Sequence, residues 1–331
     1  MKKIYTLCLV LISILVIPFI LWQVQEEKKL SIAIIDKTVT NESFREHLGL
    51  TWLLKHLKYT NNDGVPFNAK NDYFGFVPNE KSKNYKVRAL PTNYDKYDVM
   101  YIADTYGVYS KDIPRISHKQ REGSRSDKIY GGLEMEEWEA IESRLNQNKK
   151  SLLIAEFNTF ASPTSQAVRE RVTQYLGLEW SGWTGRYFEE LNPEKNEEIP
   201  QWILDIFGDN WNYDGGGFVL VNDIDYEVVV LENEPHIQKN GIRLSFTKEG
   251  RKQFTLSESP DYQYWFDIVT PKEGTEVLAN YQWNLTAEGK KLLKQHQIPL
   301  QFAAILKNEK APSTSYYFAG DFNDTSDVPF F

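Results

Sequence analysis

The chain opens with Met1-Lys2-Lys3, followed by a nearly unbroken apolar run over residues 4–22 and a charged stretch over 23–29. An apolar run of about 20 residues is what a helix needs to cross a bilayer. Trp22 suits the interface, and the two lysines place the N-terminus in the cytoplasm. A cleaved leader has a shorter apolar core and a small-residue cleavage site, and neither is found around Trp22-Gln23-Val24-Gln25-Glu26-Glu27. Residues 1–29 are therefore expected to form a single-pass transmembrane helix and juxtamembrane segment. The membrane is then a partner through residues 4–22, and the rest of the chain is extracytoplasmic.

Beyond this run, continuous hydrophobic blocks alternate with amphipathic ones. Residues 30–36 (LSIAIID), 97–104 (YDVMYIAD) and 151–157 (SLLIAEF) have the unbroken apolar character of strands buried on both faces. A weaker strand is expected over 85–90. Residues 43–59 carry Phe44, Leu48, Trp52 and Leu57 at helical spacing. A second helix is expected over 134–146, acidic at its start as the helix dipole favours. A third would run from Ser162 as N-cap, through Pro163 in the first turn, to Gly177 as the stop. This alternation predicts an α/β fold over residues 30–190, with a mostly parallel sheet and helices on both faces.

Residues 191–331 read differently. Strand-like segments at 217–221, 227–232, 242–246, 262–269 and 277–283 are closely spaced and predict antiparallel β. Segments 301–306 and 315–318 resemble strands returning to the first sheet. No internal repeat stands out.

Composition narrows the chemistry. With 38 Lys and Arg against 46 Asp and Glu, the net charge is −8, which makes nucleic acid and anionic headgroups poor partners. The only cysteine, Cys8, lies in the apolar run, so the rest of the chain offers neither a disulfide nor a thiolate metal site. The histidines form no metal set: His47 and His56 fall on opposite sides of a helix, and His118, His236 and His296 are scattered. No cofactor or metal is expected.

Three buried strands end in a carboxylate: Asp36, Asp104 and Glu156. Asp321 follows a later strand. In an open parallel sheet, ligands bind beyond the carboxyl ends of the strands. Carboxylates gathered there can perform acid–base chemistry, hold a divalent cation or bind sugar hydroxyls, or they can simply cap neighbouring loops. Arg45, Glu46 and His47 lie just beyond the Asp36 strand, so one of them can face the same edge. The segment 180–188 (WSGWTGRYF) reads as a loop rich in binding groups, with Trp183 and Arg186 as ligand-binding candidates beside Asn158. Its alternative is a loop whose aromatics plug the core. Ser162 lacks the flanking glycines of a nucleophile elbow. Residues 321–327 (DFNDTSD) have calcium-loop-like acidic spacing but no glycine at the sixth position.

Residues 31–36, 97–107 (ending YDVMYIADTYG), 132–157 and 302–322 together resemble the class I glutamine amidotransferase-like superfamily in its broad sense. Its sugar-related members include trehalose-utilisation-like proteins and the trimerisation domain of some β-galactosidases. The resemblance implies a parallel α/β sheet with a nucleophile elbow near residues 158–160. No cysteine stands there, and no histidine–glutamate pair stands near the last strands, which excludes glutamine amidotransferase activity. Three functions follow as expectations. The first is a non-catalytic domain binding a glycan or envelope partner. The second is a polysaccharide-acting hydrolase using strand-end carboxylates. The third is a structural subunit of an envelope complex, exposing aromatics such as Tyr262, Tyr264, Trp265, Phe266, Tyr281 and Trp283.

Overall fold

The computed structural model describes residues 2–79, 85–113, 126–256 and 258–329; His118 lies outside them. Thirteen strands form one sheet: β1 (Ile32–Asp36), β2 (Phe74–Val77), β3 (Lys86–Arg88), β4 (Val99–Asp104), β5 (Ser151–Ala155), β6 (Leu178–Phe188), β7 (Gly217–Asn222), β8 (Val228–Glu232), β9 (Ile237–Phe246), β10 (Phe266–Pro271), β11 (Glu276–Leu285), β12 (Gln301–Lys310) and β13 (Ser313–Phe318). The helices are α1 (Lys2–Gln23), α2 (Arg45–His56), α3 (Met135–Leu145), α4 (Gln166–Leu176), α5 (Gln201–Phe207), α6 (Lys248–Phe254) and α7 (Ala287–Gln295).

The strand order is β8-β7-β6-β10-β12-β13-β5-β4-β1-β2-β3, with β11 and β9 branching from β12. Only the ladders joining β2, β1, β4, β5 and β13 are parallel. The other eight are antiparallel. The expectation of a mostly parallel sheet is therefore corrected: the sheet is mixed and mostly antiparallel. The reason lies in the connections. Short turns join β7 to β8 and β12 to β13 and allow only antiparallel return, and β6, β7 and β8 extend the first sheet. Strand β6, read from sequence as a loop, pairs with β7 and β10.

The parallel block explains its own sequence. Ala33, Ile35, Met100 and Ile102 face the core shared with Trp138 and Ile141 of α3 and Val168 and Val172 of α4. Ile34, Tyr101 and Ala103 face the opposite way, towards Phe44 and Leu50 beside and within α2. Both faces are buried, so the strands read as continuous apolar runs. Helix α4 ends at Gly177 in the left-handed conformation, but its N-cap is Ser165, not Ser162.

Among the described residues no helix is long and apolar enough to cross a membrane. The single-pass anchor expected over residues 4–22, and the extracytoplasmic placement built on it, are thereby overturned. The segment does form a helix, α1, but with Pro18 inside it, where a backbone hydrogen bond is lost. Its last turn docks on the domain: Trp22 Nε1 donates to His56 O at 2.6 Å, and Lys58 Nζ lies 3.7 Å from the indole centroid.

A short internal repeat, not evident from the sequence, links two helices. Thr247-Lys248-Glu249-Gly250 opens α6 and Thr286-Ala287-Glu288-Gly289 opens α7. Each threonine hydroxyl accepts from the glycine N–H three residues on, at 3.0 and 3.1 Å. The Thr247 N–H donates to Leu278 O, at the head of the β11 segment, and the Thr286 N–H donates to His236 O, just ahead of β9.

Gly75 fixes the edge of the parallel block. Its φ is +141°, and a Cβ there would lie 1.7 Å from Asp36 O. Gly75→Ala is expected to lose more than about 3 kcal/mol in denaturant unfolding. Gly64→Ala, also at positive φ but facing open space, should lose only about 1 kcal/mol. Equal losses would refute the steric account.

Candidate functional site

Parallel strands send all their carboxyl ends to one edge. Asp36 and Asp104 terminate β1 and β4, Glu156 follows β5, and Asp321 lies just past β13. Helix α2 starts at the same edge and brings Arg45 and Glu46. The segment ahead of β10 brings Tyr264 and Trp265. Between these elements lies a cavity of about 260 Å³, whose lining includes Glu46, Asp104, Asp321 and Asp324. Phe157, Trp202, Tyr264 and Trp265 form its aromatic wall.

The four acids singled out from the sequence share this edge but differ in setting. Asp36 is fully buried and does not line the cavity. Its Oδ2 is 2.5 Å from His47 Nδ1, its Oδ1 accepts the Thr38 N–H at 2.9 Å, and His47 Nε2 is 2.8 Å from Ala69 O. These bonds make Asp36 a strut that holds α2 against the sheet. Asp104 lines the cavity. It accepts from Thr38 Oγ1 at 2.5 Å, Tyr106 N at 2.6 Å and Asn158 Nδ2 at 3.2 Å. Burial pushes it up to about 7 despite these donors.

Glu156 is buried outside the cavity lining, where it accepts from the Tyr101 hydroxyl and from the Asn323 N–H. Burial raises it to about 7. Asp321 lines the cavity, and no donor to its carboxyl is found among the described residues. Burial, reinforced by Asp324, Asp104 and Glu156, raises it well above the ordinary carboxylate range. Glu46 is raised in the same way by burial and by Asp36, Asp104 and Asp324. Asp324 pairs with the Arg45 guanidinium and accepts the Tyr264 hydroxyl at 2.8 Å. Among the described residues, no group of three or more His, Cys, Asp or Glu side chains is arranged to hold a metal ion.

The three ligand-binding candidates separate. Asn158 lines the cavity at φ +64°, in the turn where the resemblance places a nucleophile elbow. Its amide steadies Asp104. Trp183 is 5% exposed in the main core and lies outside the cavity lining, because residues 178–188 form a strand. Arg186 stands behind the aromatic wall, paired with Glu198, its guanidinium carbon 4.8 Å from the Tyr264 centroid and 5.8 Å from that of Trp265.

Sequence reasoning missed Asp324, Trp202 and the role of the Tyr264–Trp265 pair, and left Glu46 undecided among three neighbours. The available signal was the acidic run at 321–327 following a strand. Phe266, Tyr281 and Trp283 are buried, Tyr262 packs against the same core, and Tyr264 and Trp265 line the cavity, so these six aromatics form core and cleft wall.

No protein-family model matches the sequence, and no curated protein sequence matches it. Among solved structures, the chain is similar to an exo-β-1,4-mannosidase from an Opitutaceae bacterium, strain TAV5, at 9% identity and a TM-score of 0.36, covering 89% of this chain and 32% of that one. It is similar to a β-galactosidase from Bacillus circulans at 10% identity and a TM-score of 0.32, covering 89% and 30%. A ThuA-like protein from Bacteroides uniformis has 9% identity and a TM-score of 0.35, covering 92% and 88%. The chain thus spans about a third of the length of the first two. Likeness at this level fixes neither fold nor activity.

Burial raises Asp104, Glu156 and Asp267 to about 7 each. An unfolded Asp or Glu titrates near ~4, so between pH ~4 and ~7 the folded state holds protons that the unfolded state releases. Stability should fall as pH rises through that window and level off above it. Asp267 accepts the Tyr317 hydroxyl and is fully buried. Asp267→Asn should recover a few kcal/mol at pH 8 and little at pH 4, read from denaturant midpoints. An unchanged pH slope would contradict the assignment.

Proposed function

We propose that the cleft binds carbohydrate and hydrolyses a glycosidic bond. One observation carries this reading: a cavity with an aromatic wall gathers Glu46, Asp104, Asp321 and Asp324 in unlike settings, Asp104 held by three hydrogen-bond donors and Asp324 paired with a guanidinium. Aromatic faces suit the apolar faces of sugar rings, and sugar hydrolysis needs one carboxyl to protonate the leaving oxygen and another to act as base or nucleophile. Burial and neighbouring carboxylates favour the protonated form of Asp321 and Glu46. Asp104, raised to about 7 and oriented by three donors, is partly ionised at neutral pH. Environments that push paired carboxyls apart assign the acid and base roles. Asp321 is taken as the general acid, Asp104 as its partner, and Tyr264 and Trp265 as the sugar platform.

The test is incubation with a panel of oligosaccharides followed by product analysis. Turnover should fall by about 10²-fold or more in Asp321→Asn and in Asp104→Asn, while Trp202→Ala should chiefly weaken binding. The rate should rise with pH towards about 7 as Asp104 ionises, then decline as the proton donor is lost. Binding without turnover across pH 5–8 would reduce the site to a glycan-binding module. No binding would refute the reading.

A further inference from the structure

We propose that the sugar this cleft selects carries a free ammonium group, as a deacetylated amino sugar does. The proposal rests on the carbohydrate reading above and names its substrate class. The charge balance of the cavity wall carries it. Glu46, Asp104, Asp112, Asp223, Asp321 and Asp324 line the cavity, against Lys111 alone among described lining cations. Two of these acids have a guanidinium beside them: Arg45 at Asp324, and Arg169 at 3.6 Å from Asp223.

Glu46, Asp104 and Asp321 face a different environment. The Asp104 carboxylate accepts from a hydroxyl, a backbone N–H and an amide. Glu46 is faced by Asp36, Asp104 and Asp324. Asp321 is faced by Asp324, Asp104 and Glu156, and the cation acting on it is Arg45, already engaged by Asp324. A uronate or a sulfated sugar entering here meets like charge. A neutral sugar leaves the crowded carboxyls protonated. An ammonium group instead supplies the missing counter-charge, which favours the ionised carboxylates, and the surrounding rings favour a cation further.

The mechanism has a thermodynamic signature. Glu46 and Asp104, which favour their protonated forms in the empty cleft, release protons when an ammonium group binds, whereas Asp321 keeps the proton it donates, so binding is linked to proton release and strengthens as pH rises towards about 7, where Asp104 ionises. A neutral sugar produces neither effect.

The experiment is isothermal titration of the full chain with glucosamine, galactosamine and mannosamine oligomers. Each is compared with its N-acetylated form and its hydroxyl counterpart, in buffers of different ionisation enthalpy, at pH 5, 6 and 7. At least one amine series should bind more than tenfold tighter than its two counterparts at pH 7. It should release protons on binding and lose most of that preference in Glu46→Gln, whose folding is checked by circular dichroism. Equal or tighter binding of the acetylated or neutral forms overturns the ammonium proposal and leaves the carbohydrate reading standing. A cleft that binds none of the panel overturns both.

Discussion

Strand β13 is the member on which both halves of the molecule depend. It runs antiparallel to β12 on one side and parallel to β5 on the other. Its register is pinned by small polar groups: the Ser151 and Ser313 hydroxyls are 2.7 Å apart, and Ser313 Oγ donates to Leu145 O. Alternate residues Ser313, Ser315 and Tyr317 are buried, so a slip by one residue would exchange the two faces. It would also part Tyr317 from Asp267, which belongs to the antiparallel half. The chain leaves β13 directly into the segment holding Asp321 and Asp324, so the same register sets where two of the cleft acids stand.

The cleft is built at an energetic disadvantage that the fold tolerates. Parallel strands necessarily align their ends, and here those ends are acidic. The crowding is relieved in three ways. Asp36 is consumed by His47, Glu156 is satisfied by Tyr101 and Asn323, and Asp324 is neutralised by Arg45. Glu46, Asp104 and Asp321 receive no such ion pair; burial favours the protonated form of Glu46 and Asp321, while Asp104, raised to about 7, is divided between its two forms near neutrality. A site whose acids are easier to leave protonated than to charge is suited to proton donation.

Much of the parallel block was legible because strands covered on both faces leave unbroken apolar runs, as residues 30–36 and 97–104 do. Their terminal acids were legible for the same reason. Strand β6 was not: its serine, two glycines and arginine weaken any β signal. The structural reason for Gly185 appears only in three dimensions, where a Cβ would lie 2.6 Å from the side chains of Leu220 and Phe266. Helices α5 and α6, seven residues each, are too short to impose a period. Apolar length misled at the N-terminus, because it carries no information about Pro18 or the docking of Trp22 on His56. Asp324 was hidden by distance, since it meets Arg45 across 279 residues of sequence. No local pattern encodes that contact.

The paired Thr-x-Glu-Gly caps have a consequence for how the molecule assembles. Each threonine hydroxyl accepts the glycine N–H of its own helix, but its O–H and its backbone N–H donate to backbone belonging to the other strand–helix unit. Neither helix start is complete until the β9–β11 ladder has brought the two units together. The four elements therefore gain their stability jointly and form a single cooperative folding unit, in which fraying at one helix is felt at the other across the sheet.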